Sequence, residues 1–181
     1  MGENAVRAWA ARARLELEKG DGPFLWTAVR RGARAVVPIT YMNLAGRAVS
    51  KLQSLTDFAP SELLVVTDDV WLPFGRLRLR TGGSDGGHNG LKSVAEALGT
   101  QGYPRLRIGV GPVPEHEDWA DYVLRPYPPD SSEQVQGILD EAVGGLNLIL
   151  ARGYSNAQTA INRTPEDESQ SEEDPQKSSK K

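Results

Sequence analysis

The sequence contains no cysteine, which removes disulfides, a thiol nucleophile and thiolate metal sites from consideration. Histidine is nearly absent: His88 and His116 are the only two, so imidazole chemistry has two candidates. After Met1 there is no apolar signal core, and no run approaches the ~18 apolar residues of a membrane span. A soluble cytoplasmic protein without a membrane partner is expected. A large charge of one sign is missing as well. The net charge is −3, and the tail from Thr164 to Lys181 alone holds six acidic and three basic residues, so residues 1–163 are neutral. The tail has no aliphatic or aromatic side chain to bury, and 164–181 is expected to be a disordered polar tail. Residues 1–163 fall within the ~100–200 residues of one domain.

What is present reads as alternating strands and helices. Val6, Trp9, Ala10, Ala13 and Leu17 recur at three- and four-residue spacing, which predicts a helix from about Ala5 to Lys19, stopped by Gly20. Two β-like stretches follow, one from Phe24 and one ending at Pro38, separated by Arg30-Arg31-Gly32 as in a hairpin. Leu44, Val49, Leu52 and Leu55 stripe a helix over about 43–58, and 62–66 (ELLVV) is a short buried strand with Asp68 and Asp69 just beyond its end. In 75–81 (GRLRLRT) the period of two puts Leu77 and Leu79 on one face and Arg76, Arg78 and Arg80 on the other. A glycine-rich loop then leads into a helix near 91–98. In 103–111 (YPRLRIGVG) Leu106, Ile108 and Val110 oppose Arg105 and Arg107. A short segment at 119–124 and a long helix from about Ser132 to Arg152 complete the pattern. The expectation is a single-domain α/β fold with a mixed β-sheet flanked by helices.

The residues able to do chemistry are few. His88 stands where the glycine-rich loop enters a helix, and a helix N-terminus disfavours imidazolium. The ring is read either as a neutral base or as a brace for the loop. His116 lies in a polar loop and reads as a surface residue. The loop 82–90 (GGSDGGHNG) lacks the Gly-Lys-Ser/Thr ending of a nucleotide loop. It does contain G-x-S-x-G around Ser84, but an Arg–Leu strand feeds it, unlike a nucleophile elbow. A platform for close backbone approach to a polymeric ligand fits the neighbouring arginines. Arg76, Arg78, Arg80, Arg105 and Arg107, with Lys92, are candidate phosphate contacts; the competing reading is a solvated sheet face. Asp68-Asp69 suits orientation of an imidazole better than a metal site, since no second acidic cluster accompanies it. Asn43, between strand and helix, reads as an N-cap.

Four ordered stretches resemble bacterial-type peptidyl-tRNA hydrolase. They are 38–46 (PITYMNLAG), 66–75 (VTDD followed by LPFG), 86–93 (GGHNGLKS) and 105–111 (RLRIGVG). The likeness covers about Phe24 to Arg163. It implies hydrolysis of the ester between a peptide's carboxyl end and the tRNA 3′ ribose, with peptidyl-tRNA as partner and no metal or organic cofactor, in a monomer. By the same resemblance Asp68 orients and polarises the base, and Asn43 and Asn89 hold substrate and water. Tyr41 and Met42 line the cleft, and His88 sits beside the site without being the base. The family opens with a strand, a Gly-Asn-Pro-Gly turn and a histidine base before its first long helix, whereas that helix begins here within a few residues of Met1. An N-terminally shortened chain with exposed sheet edges and little cleavage is therefore expected. Trp71 stands where the family usually carries an acidic residue. A non-catalytic RNA-binding relative of the same fold is the alternative.

Overall fold

The computed structural model describes residues 1–163; the tail expected over 164–181 lies outside the described residues. Helix α1 (Gly2–Arg12) is shorter than the apolar spacing suggests. It ends where Arg14 adopts a left-handed φ of 57°. The Arg14 amide bonds to the Ala11 carbonyl and the Leu15 amide to the Ala10 carbonyl, the paired bonds of a Schellman stop. Leu15 and Leu17 still pack on the core, but from extended chain. That chain runs into β1 (Glu18–Lys19), which pairs antiparallel with β2 (Phe24–Trp26). β2 pairs in turn with β3 (Val36–Pro38), with Leu25 opposite Val37. The expected hairpin is present: Arg31 (φ 51°) and Gly32 (φ 75°) turn it inside the Arg30–Ala33 bridge.

The second sheet carries the site. β4 (Val65–Pro73) runs parallel to β6 (Arg105–Gly111), and β5 (Leu77–Arg80) lies antiparallel on the other side of β6. This sheet is mixed as expected, but the six strands divide into two three-stranded sheets. At the outer edge of β4 lies α1: a Cβ on Gly2 would come within 2.7 Å of the Val66 carbonyl oxygen. β4 is also longer than the five-residue strand expected, so Asp68 and Asp69 lie within it and not past its end.

Helices cover both faces. Leu77, Leu79, Leu106, Ile108 and Val110 meet Ala5 and Trp9 of α1 and Ala142, Val143 and Leu146 of α5 (Ser132–Ile161). On the opposite face, Val49 of α2 (Ala45–Leu55) packs with Leu91 and Val94 of α3 (Asn89–Leu98) and with Tyr103. The far side of α2 buries Phe24 of the first sheet with Ala48 and Leu52. A short helix α4 (Trp119–Leu124) flanks β4.

The long C-terminal helix continues beyond the expected end at Arg152, broken at Gly153 (φ 73°, ψ 171°). The extension protects a sheet edge. Asn162 Oδ1 accepts the Leu79 amide at 2.8 Å and its Nδ2 donates to the Leu79 carbonyl at 3.0 Å, standing in for a neighbouring strand on β5. Leu79 is fully buried, so Asn162→Ala should lower unfolding stability by about 1–3 kcal/mol. Urea denaturation measures this directly, and an unchanged midpoint would show that solvent replaces both bonds.

Candidate active site

Neighbouring residues on β4 point to opposite faces, so the two carboxylates part company. Asp68 turns toward α1, where it accepts the Gly2 amide at 2.5 Å and pairs with the Met1 ammonium at 2.9 Å. Asp69 turns the other way, is almost fully buried, and pairs with Arg107 Nε at 2.6 Å; its Oδ1 accepts the Trp71 amide at 3.0 Å. The two do not form a joint cation site. Asp68, half-buried, is the carboxylate at the edge of β4 that faces α1.

His88 is the brace. Its Nδ1 accepts the amides of Gly90 (3.0 Å) and Leu91 (3.2 Å) as the N-cap of α3, and Nε2 lies 3.0 Å from Thr67 Oγ1. With Nδ1 accepting, the proton belongs on Nε2, so both ring nitrogens are engaged inside the protein. Burial pushes the imidazole pKa below its ordinary value, outweighing the attraction of Asp68 and Asp69. The folded state therefore binds fewer protons here than the unfolded state. The associated stability is intact above the unfolded value near 6.5 and is lost as pH falls through the lower folded value. His88→Asn, which keeps a capping oxygen and cannot titrate, should narrow the gap in melting temperature between about pH 7.5 and about pH 5. An equal gap in both proteins would assign the acid sensitivity to other groups.

Two loop-to-helix junctions complete the site. Residues 42–44 form a 3₁₀ turn ahead of α2, and Leu44, not Asn43, occupies the cap position. Asn43 and Asn89 are both exposed, and neither side chain has a hydrogen-bond partner among the described residues, so the N-cap expected at Asn43 is not found. Met42 reaches across to α3: its sulfur would lie 2.5 Å from a Cβ on Gly90. Tyr41 turns away and lines a separate open cleft of about 580 Å³ with Pro23, Ile39, Thr40, Leu44 and Arg47. Met42, His88 and Asn89 thus meet at the start of α3 against Thr67 of β4, near enough to Asp68 for His88 to feel its charge, with Tyr41 across the turn. Tyr127 was not marked by any sequence signal beyond the prolines that flank it. Burial, and then the nearby charge of Asp68, raise its pKa to about 12.

The cationic face is only partly open. Cross-strand register puts Arg78 beside Arg107 and Arg80 beside Arg105 on one face. Arg105 is buried, donating to the Ser84 and Gln101 carbonyls and lying 4.2 Å over the Tyr103 ring. Arg76 donates to the Asn162 and Arg163 carbonyls at the end of α5. Both arginines bond to the protein's own backbone, which corrects the reading of six available cations. Arg78, Arg80 and exposed Lys92 carry no ion pair among the described residues. Ser84 is exposed and its hydroxyl lacks a hydrogen-bond partner among the described residues, so no base activates it.

The protein is a single α/β domain that presents two exposed, unpartnered amides ahead of α2 and at the start of α3. The family model described as peptidyl-tRNA hydrolase matches residues 2–171. The peptidyl-tRNA hydrolase of Nocardia farcinica is 39% identical over 150 residues, spanning 82% of this chain and 78% of that protein. That of Gloeobacter violaceus is 39% identical over 159 residues, spanning 86% and 76%. The crystal structure of peptidyl-tRNA hydrolase from Acinetobacter baumannii superposes with a TM-score of 0.78 at 28% identity, covering 87% of this chain and 82% of that one. The chain belongs to the peptidyl-tRNA hydrolase family.

Proposed function

We propose that the protein hydrolyses the ester of peptidyl-tRNA, releasing free tRNA and peptide and so recycling tRNA from stalled translation in the cytoplasm. The observation that carries this reading is the pair of exposed, unpartnered amides, Asn43 and Asn89, set where Met42 meets the start of α3 in a member of this family. Water adds to the ester carbonyl, the carbon–oxygen bond to the ribose breaks, and the ribose oxygen takes up a proton. Neutral amides suit the developing oxyanion because they donate hydrogen bonds without competing as nucleophiles. By the family resemblance Asp68 orients and polarises the base that removes the water proton, a histidine that the described residues do not supply. His88, with both nitrogens committed, is not that base, and positions Asn89 instead.

Release of N-acetyl-amino acid from N-acetylaminoacyl-tRNA tests the proposal. Tight tRNA binding without turnover would return the chain to the RNA-binding alternative. Cleavage abolished by Ser84→Ala would move the chemistry to the glycine-rich loop. The phosphate contacts are assigned to Arg78, Arg80 and Lys92. Changing Arg78 and Arg80 to Ser should weaken tRNA binding and reduce the log-affinity versus log-salt slope by about 1 for each lost contact. A slope equal to wild type would leave these arginines as solvated surface.

A further inference from the structure

Two large indoles stand in the open beside the site. Trp71 is 62% exposed and Trp119 45%, although both carry enough apolar surface to favour burial. They pack edge to face, centroids 4.7 Å apart at 84°, so each holds the other while ring surface remains uncovered. Their placement is anchored from below. The Trp71 amide bonds to Asp69, which Arg107 holds in turn. The Trp119 ring approaches Gly87, where a Cβ would lie 3.9 Å from its Cζ3. Gly87 directly precedes His88 and Asn89, so the pair borders the α3 end of the site.

Resting on the hydrolase reading, we propose that Trp71 and Trp119 form a stacking platform for an unpaired nucleobase at the 3′ end of the tRNA substrate. A base offers a flat apolar face of the right size, and stacking on indole tolerates any base. The surroundings favour a nucleotide over an apolar peptide side chain. Arg107, anchored to Asp69, opposes Thr67 on β4 and Arg78 on β5, so a row of guanidinium groups crosses the same sheet toward the platform. Cations beside exposed aromatic rings are the arrangement that follows a single strand, phosphate by phosphate and base by base. Two acidic side chains near α4 are engaged within the protein, while Glu115 and Asp121 stay exposed. Glu117 pairs with Arg125 at 2.9 Å, and Asp118 Oδ1 accepts the Asp121 amide.

The test compares intact tRNA with tRNA trimmed of its last three nucleotides, using the full chain and following tryptophan fluorescence. Wild type should bind intact tRNA more tightly than trimmed tRNA. Trp71→Ala and Trp119→Ala should each lose about tenfold in affinity for intact tRNA and leave trimmed tRNA unchanged, while Trp71→Phe recovers most of the loss. Because both rings are exposed, melting temperatures should stay near wild type. Equal affinities for intact tRNA in wild type and both Ala proteins would overturn the platform. So would a KM increase confined to substrates with bulky apolar peptides, with tRNA affinity unmoved, which would mark a peptide subsite. Peptidyl-tRNA cleavage measured in parallel separates the two readings. An inert protein that still recognises the intact 3′ end through Trp71 keeps the platform and removes the hydrolase, whereas an active hydrolase indifferent to both substitutions does the reverse.

Discussion

In a chain extended upstream to carry the family's histidine base, Asp68→Asn should lower peptidyl-tRNA cleavage by about 10²–10⁴ in kcat, with KM little changed. Asparagine matches aspartate in shape and keeps one acceptor oxygen, so the cleft is preserved. What disappears is the negative charge. A carboxylate that holds a cationic group beside it stabilises a base as it gains a proton, and an amide supplies only a dipole. Stability should respond far less. The Asp68 side chain keeps 23% of its surface in solvent, and loss of such a pair should cost about 1 kcal/mol. The diagnostic result is therefore loss of turnover with melting nearly intact. Activity within twofold of wild type would remove Asp68 from the mechanism.

Much of the fold was legible because alternation and helical spacing report burial directly. Leu77 and Leu79, and Leu106 with Ile108, lie on the face that strand periodicity assigns them. The hairpin between Phe24 and Pro38 followed from its turn residues. Periodicity says which face a side chain occupies but not what covers that face. Arg78 and Arg105 alternate identically in sequence, yet the glycine-rich loop and the Tyr103 ring bury only Arg105. The N-cap reading of Asn43 failed for a related reason. An inserted 3₁₀ turn moved the cap position to Leu44 and left the amide free, which favours a role in binding over one in helix capping. Tyr127 meets Asp68 only through tertiary packing, and the helix beyond Gly153 resumes after a break that local spacing could not bridge.

The close crossing of α2 and α3 is where the sequence motif and the site geometry meet. Gly46 lies at the start of α2, donates its amide to Ser93 Oγ at 3.0 Å, and has no space for a side chain. A Cβ there would overlap the Ser93 carbonyl, whose carbon would lie only 2.8 Å away. That carbonyl belongs to the backbone of α3 and cannot swing aside as a flexible side chain would. Gly46→Ala should therefore reach the upper end of overpacking costs, about 3 kcal/mol, and lower the melting temperature by about 6–12 °C. Relief requires the two helices to separate, and their first turns carry the site: Asn43 precedes Gly46 by one turn, and Asn89 precedes Ser93 by another. A displacement near 1 Å between those amides should cost about 10² in turnover. Ser93→Ala is the control. It removes the Gly46 hydrogen bond without forcing the helices apart, and should cost about 1 kcal/mol with most activity retained. If Gly46→Ala instead melts and turns over like wild type, the contact between α2 and α3 does not set the spacing of the two asparagines, and their alignment must come from the loops alone.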